Sequence, residues 1–195
     1  MNELSYSLGV SVALNLKEQG FEISSLDDFS KALHDVMAGT ELALPMEKVN
    51  ETVNNFFKDL TEKKSEELKV EGESFLAENA KREGVVTLPS GLQYEVMQDA
   101  EGDKPKAENT VTTHYHGTFI NGNVFDSSVQ RNQPASFPVN GVIKGWTEAL
   151  QMMSVGAKWK LFIPSELAYG AQGAGQAIPP HTSLIFEVEL ISIDS

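Results

Sequence analysis

Apolar residues change their spacing partway along this chain, from intervals of three and four to intervals of two. The first rhythm belongs to helices and the second to strands with one covered face. Leu4, Leu8, Val12 and Leu16 recur at every fourth position, and Val10, Ala13 and Leu14 fill the spaces between them. A helix so apolar must be covered on most of its sides. Ser25 is placed to cap a second helix, with Asp27 and Asp28 in its first turn, Phe29, Leu33 and Val36 along one stripe, and Gly39 as its stop. A third helix begins where Pro45 occupies a first-turn position, and carries Met46, Val49, Val53, Phe56, Phe57 and Leu60 at helical spacing. Gly72 is its only breaker before Gly84, so a helix over 46–83 would be ~57 Å long. From Thr61 to Ser74 the apolar residues thin to Leu68 and Val70 among Lys and Glu, which predicts a solvated rod joining two bodies. Three helices of about sixty residues cannot easily bury such a surface alone. A second copy of the chain is the expected cover, and a monomeric bundle closing against the C-terminal part is the alternative.

Proline marks the change of rhythm: only Pro45 lies within 1–84, and the other seven lie in 85–195. Leu92, Tyr94 and Val96 alternate with Gln93, Glu95 and Met97, and Val111, Thr113, Tyr115, Gly117 and Phe119 alternate with a polar set containing His114 and His116. Trp159, Leu161 and Ile163 repeat the pattern, as do Leu184, Phe186, Val188 and Leu190. Alternation of this kind needs cover on one face of the sheet only. Asn121-Gly122 between Phe119-Ile120 and Val124-Phe125 predicts an antiparallel hairpin, since both of its turn positions tolerate positive φ. One short helix, Gly145–Met153, turns Trp146, Ala149, Leu150 and Met153 to one side. The expected fold is α+β: an all-α dimerisation module over 1–60, the continuation of a long connecting helix over 61–84, and over 85–195 an antiparallel half-barrel sheet wrapped around one short helix.

Charge and composition narrow the function. The formal charge is −13, divided as −8 over 1–84 and −5 over 85–195, which opposes binding to nucleic acid or an anionic membrane surface. Cysteine is absent, so disulfides, thiolate metal sites and thiol nucleophiles are excluded. No basic start precedes the first apolar stretch, and no apolar run is long enough to span a membrane. The expected compartment is the cytoplasm, or the periplasm if a leader has been removed.

Familiar catalytic signatures are missing: there is no Gly-x-Ser-x-Gly elbow, no Gly-Lys-Ser/Thr phosphate loop and no helical His-Glu-x-x-His. His114 and His116 share a strand face without an evident third ligand, so no metal is expected. Gly170–Gly175 lacks phosphate-loop spacing and runs into Ile178-Pro179-Pro180, where no phosphate-cradling helix can start, so it reads as a surface loop. No cofactor is expected. What remains is a supply of apolar and aromatic residues beside turns, each more at home in a core when taken singly.

Together they form a pattern. Val111-Thr-Thr-His-Tyr115-His-Gly117, Gly122-Asn-Val-Phe125-Asp126-Ser127-Ser128, Val142-Ile143-Lys-Gly145-Trp146, Met153-Ser-Val-Gly156, Ala168-Tyr169-Gly170 and Ile178-Pro179-Pro180-His181 closely resemble, in order, the FKBP-type peptidyl-prolyl cis/trans isomerases. The helical N-terminal part resembles the Mip-like (macrophage infectivity potentiator-like) bacterial branch, whose members are dimers. The resemblance implies a shallow apolar pocket floored by Trp146 and walled by Tyr115, Phe125, Phe137, Val142, Ile143 and Phe186. Tyr169 and Ile178 would sit on a covering loop, and the Ile143 N–H and Tyr169 hydroxyl would donate to substrate carbonyls. Asp126 would lie at the rim, held by Tyr115 or Arg131, either as an electrostatic partner of the twisting carbonyl or as an acceptor that orients the pocket. The implied partners are proline-containing polypeptides, a second copy of the chain through the N-terminal helices, and macrolide-type inhibitors. Ala135 and Ala174 stand where single-domain members often carry an aromatic and a histidine, which bears on substrate preference. The resemblance implies catalysis of X-Pro rotation in unfolded chains, and a dimeric holdase with little catalysis is the alternative. The stretch Tyr169–Ile178 is too short for the inserted chaperone domain of some relatives, so any holding would fall to the helices.

Overall fold

The computed structural model describes residues 1–194. Two units emerge, Met1–Phe56 and the remainder from Phe57, and each is described by itself. In the first unit, α1 (Glu3–Glu18) starts at Asn2, whose side chain accepts from the Ser5 N–H. Helix α2 (Leu26–Ala38) starts at Ser25, whose hydroxyl accepts from the Asp28 N–H, and ends at Gly39 with φ 67°. Both ends of α2 are those expected from the sequence. The Phe21 ring stacks on Phe56 at 5.0 Å. Little else is enclosed: α1 has no buried residue, and Leu4 is 71% exposed, Leu8 59% and Leu14 56%. Asp35 is the one buried residue between 1 and 56, and it takes hydrogen bonds from Lys31 at 2.6 Å and from Thr40. The chain by itself thus leaves the apolar sides of α1 uncovered.

Helix α3 (Met46–Asn79) stops four residues short of the expected end and is ~51 Å long. Its later turns are no solvated rod. Ser65, Leu68 and Lys69 are half-buried, and Gly72 and Asn79 are buried. At Gly72 a Cβ would lie 2.4 Å from Ser183 Oγ, so the residue that reads as a breaker is the gap that lets helix and sheet meet. One turn further, the Phe75 ring lies 6.0 Å from Phe162. Asn79 donates to Gln93 Oε1 at 2.8 Å, and Gln93 donates to the Leu76 carbonyl at 2.9 Å. Burying Gln93 is tolerable because both ends of its amide are paired. The expectation that only one sheet face is covered therefore fails at Gln93 and Phe162, which α3 shields from the other side.

The sheet has seven strands, all antiparallel: β1 (Val85–Thr87), β2 (Gln93–Gln98), β3 (Thr110–Phe119), β4 (Val124–Ser127), β5 (Ala135–Pro138), β6 (Lys158–Ile163) and β7 (Leu184–Asp194). Their order is β1-β2-β6-β7-β3-β4, with β5 also pairing β3. Val111, Thr113 and Tyr115 on β3, and Leu184, Phe186, Val188 and Leu190 on β7, alternate into the core. Register shifts between Thr112 and Thr113 and between Val96 and Gln98 let the sheet bend. It wraps the short helix α4 (Lys144–Leu150), of which Trp146, Ala149 and Leu150 are buried, with Met153 just beyond. Gly145 allows the approach, since a Cβ there would lie 2.7 Å from Ile163 Cγ2.

The β3–β4 hairpin exists, but its turn differs from the two-residue form. The Gly122 N–H donates to the Phe119 carbonyl and the Phe119 N–H to the Asn123 carbonyl, and only Gly122 has positive φ, at 85°. This is the three-residue connection closed by a glycine bulge. The extra residue shifts register between Gly117 and Thr118.

Candidate active site

Odd-numbered positions of β3 face inward, so Tyr115 and Gly117 look toward α4 while His114 and His116 look away. The outward rings are tied to the neighbouring turn: His114 Nδ1 lies 3.1 Å from Ser128 Oγ and His116 Nδ1 2.9 Å from Ser127 Oγ. No group of three potential metal ligands occurs among the described residues. Strands β4 and β5 share one edge of β3, and the chain leaves that edge between them. Ser128 fills the break, accepting from the Tyr115 N–H at 2.7 Å and donating to its carbonyl at 3.2 Å. It fixes the backbone from which the Tyr115 side chain projects. In the sequence, its adjacency to Phe125-Asp126 was the only sign of this role.

Trp146 lies at the base of an open hollow of about 290 Å³. Its indole meets Phe186 at 5.3 Å, Tyr115 at 5.5 Å and Phe137 at 5.8 Å, each edge to face. Such contacts set positive ring edges against negative ring faces and hold the rings in fixed directions. Phe125 closes one side, 5.4 Å from Phe186. Val142 and Ile143 line the side formed by the approach to α4, and Tyr169, 40% exposed, stands at the mouth. The Ile143 carbonyl accepts from the Trp146 and Thr147 N–H groups, while its own N–H donates to nothing among the described residues. Gly117 sets the width: a Cβ there would lie 2.7 Å from Phe125 Cζ and 2.9 Å from Phe186 Cε1.

Among the described residues that line the hollow, the one charged group is Asp126 at the rim. The Tyr115 hydroxyl donates to Asp126 Oδ2 at 2.5 Å, and Arg131 donates to the other carboxylate oxygen and, at 2.9 Å, to the Tyr115 hydroxyl. Asp126 is thus held by both of its expected partners. Burial pushes its carboxyl up, but the hydrogen bonds from Tyr115 and Arg131 outweigh this and leave it below the ordinary range. Burial, and then the bond to Asp126, raise the Tyr115 phenol. At neutral pH the rim is a carboxylate, a guanidinium and an un-ionised phenol. Among the described residues, no nucleophile or poised base faces the hollow.

Of the ten residues singled out in the sequence, nine line this one cavity: Tyr115, Phe125, Asp126, Phe137, Val142, Ile143, Trp146, Tyr169 and Phe186. Ile178 does not. It belongs to the same loop as Tyr169, bridging to Ala174, but it is 5% exposed and packs in the core rather than on the cavity wall. Sequence reasoning missed Ser128 and Gly141, the second of which also borders the hollow.

Comparison with known proteins agrees with this geometry. Residues 101–191 match the model for FKBP-type peptidyl-prolyl cis-trans isomerases, and residues 1–96 match that for the domain amino terminal to such isomerases. The outer membrane protein MIP of Legionella longbeachae is 43% identical, over 98% of this chain and 85% of its own. The FKBP-type 22 kDa peptidyl-prolyl cis-trans isomerase of Escherichia coli is also 43% identical, over 98% of this chain and 94% of its own. The crystal structure of FkpA from Escherichia coli superposes with a TM-score of 0.80 at 36% identity, over 98% of this chain and 93% of that one. An aromatic hollow without acid–base machinery, these matched residues and these relatives together establish that the chain belongs to the FKBP-type peptidyl-prolyl cis-trans isomerases, in the Mip- and FkpA-like group that carries an amino-terminal helical domain.

Proposed function

We propose that the hollow over Trp146 is where the prolyl bond turns. The observation that carries this is the convergence of Tyr115, Phe125, Phe137, Trp146 and Phe186 around one open cavity. Rotation about a peptide bond faces a barrier of ~18–20 kcal/mol because twisting sacrifices amide resonance. The planar amide is strongly dipolar and the twisted one less so, so a dry, ring-lined site disfavours the first more than the second. Val142 and Ile143 hold the proline ring, and the free Ile143 N–H and the Tyr169 hydroxyl take substrate carbonyls. Ile178 belongs to the same covering loop as Tyr169 and anchors it through its side chain in the core. No bond is made or broken, which suits a site without a nucleophile.

Asp126 orients the rim. Its two hydrogen-bond partners leave its carboxylate occupied with Tyr115 and Arg131 rather than offered to substrate. The test is Asp126→Asn beside Phe137→Leu in a proline-limited refolding assay. Phe137→Leu lowers the catalysed rate in a folded protein, and an unchanged rate refutes the pocket. Asp126→Asn lowers it only as far as Tyr115 moves; lost activity with the ring positions intact in a crystal structure would give Asp126 a direct role.

The helical unit pairs two copies of the chain. Its support is the exposure of Leu4, Leu8 and Leu14 on a helix with nothing buried. The same apolar surface favours a second use, holding unfolded polypeptide, which a holdase assay separates from catalysis because holding delays aggregation without speeding the slow phase. The working division is 1–60 for pairing, 61–84 for connection and 85–195 for catalysis, checked by comparing fragments 57–195 and 85–195. The second fragment loses the α3 turns that cover Gln93 and Phe162. No described helix is long and apolar enough to cross a membrane. The proposed compartment is the cytoplasm, the periplasm is the second reading because one relative is an outer membrane protein, and cell fractionation decides between them.

A further inference from the structure

A second hollow, of about 230 Å³, lies between the later turns of α3 and the tip of the β3–β4 hairpin. Leu68, Phe119, Ile120 and Pro179 give it an apolar base, and Lys64, Glu71, Asn121 and Asn123 stand around it. Lys64 and Glu71 form no ion pair among the described residues, and Asn123 makes no side-chain hydrogen bond there. Asn121 accepts from the Asn123 N–H at 3.0 Å, which leaves its amide NH₂ free to donate. Apolar footing with amides and both charge signs at the edge suits an extended main chain, whose N–H and C=O groups need partners at every residue.

The occupant follows from continuity with the catalytic hollow. Phe119 lines the second hollow and Phe125 the first, and the two rings are in contact at 5.1 Å. Pro179, which lines the second hollow, directly follows Ile178, on the loop that also carries Tyr169 of the first. The ring contact between Phe125 and Phe119 thus joins the lining of one hollow to that of the other, and gives a chain seated over Trp146 an apolar footing in that direction. We infer that the groove along α3 is an extended subsite for the polypeptide substrate, gripping residues that flank the proline. The inference rests on the pocket assignment made above. It gives the later turns of α3 a part in substrate choice: long unfolded chains reach the groove, and short peptides fill only the aromatic hollow. Binding energy from such remote residues holds the reacting bond in place.

The experiment uses the full chain and two substrates, a prolyl tetrapeptide and an unfolded protein whose refolding is proline-limited. Leu68→Glu and Ile120→Glu are made singly, with Asn123→Ala as a milder variant that leaves packing intact. The expected result is an unchanged kcat/KM for the tetrapeptide and a roughly five- to twenty-fold loss for the unfolded protein, mostly in KM, with a smaller loss for Asn123→Ala. Backbone amide signals of Ile120 and Asn121 should shift on adding a proline peptide of about twelve residues, and not with the tetrapeptide. Equal losses on both substrates, or none on either, overturn the subsite. Trp146→Leu separates the two claims. If it lowers both rates while the groove variants lower neither, the subsite alone fails; if it lowers neither, the pocket assignment fails with it.

Discussion

The two units of this chain solve the burial problem differently. From Phe57 onward, strands and a short helix enclose Leu92, Val111, Leu150, Met153, Leu161, Ile163, Val188 and Leu190 with none of their surface exposed. Within Met1–Phe56 the one buried residue is an aspartate. Both units are rich in apolar residues, so composition does not distinguish them. What distinguishes them is whether the chain can fold back on itself to cover those residues. Long-range strand pairing does so from Phe57 onward, whereas helices joined by short links leave α1 open. The lesson is that an apolar helix without internal cover is where a partner is to be sought, as an open ring-lined pocket is where a ligand is to be sought.

The strongest way to break this comparison is to make α1 polar. Leu8→Asp with Leu14→Asp should abolish pairing, seen as a halved mass in light scattering, and raise the dissociation constant by about a hundred-fold or more if each removes ~1.5–3 kcal/mol of burial. The tetrapeptide rate should not change. A retained dimer would mean that α1 is not the contact. Next in size, Trp146→Leu should lower kcat/KM by roughly ten-fold or more, equivalent to ~1.4 kcal/mol of transition-state binding, with no change of mass. Any effect on mass would show that the two units are not separable in this sense.

A third change sharpens the boundary. Gly72→Val should destabilise the second unit by ~1–3 kcal/mol through overpacking against Ser183. Both tryptophans, Trp146 and Trp159, lie in that unit, so their fluorescence reports its unfolding alone. Pairing Gly72→Ala with Ser183→Gly should recover stability, because the clash is with that side chain and alanine is the better helix former by ~1 kcal/mol.

The smallest effect is acid sensitivity, for which each unit has one reporter. Hydrogen bonding from Lys31 holds Asp35 below its ordinary 3.8, and the net of burial, Tyr115 and Arg131 does the same for Asp126. A carboxyl lowered on folding contributes stability that is present above 3.8 and is lost as pH falls through the folded value. Asp35→Asn should therefore flatten the acid limb seen by helical circular dichroism, and Asp126→Asn the limb seen by tryptophan fluorescence. Tyr115 behaves in the opposite sense, its contribution fading as pH rises past 10.0.

Periodicity carried most of this fold. The caps at Ser25 and Gly39, the inward set of β3 and the short helix under the sheet follow from local spacing alone, because each depends on residues within a few positions of one another. The role of Gly72 did not follow. Its reason lies at Ser183, more than a hundred residues away, and a glycine within a helix reads as a weakness until the partner that needs its emptiness is seen. Gln93 fell on the face expected to be open, and Phe162 went without a reading, for the same cause, since the helix that covers them is remote in sequence. At the site, nine of ten residues converged through family resemblance, whereas chemistry alone left a set of rings that could equally have been core. Ile178 belongs to the loop as expected but turns into the core, because an apolar residue beside a turn reads the same whichever way its side chain points. The form of the hairpin turn was not legible because Asn-Gly fits both a two-residue loop and the end of a three-residue one, and the choice depends on strand register.

Gly117 leaves a final consequence. The hollow is as wide as it is because one position on β3 contributes no atoms to it, so its size is negotiated between that position and the ring at 125. Enlarging the first obliges the second to shrink. A library varying Gly117 and Phe125 jointly should yield working enzymes along a diagonal, Ala with Leu among them, where either change alone yields none, and the substrates they accept should differ by the shape exchanged.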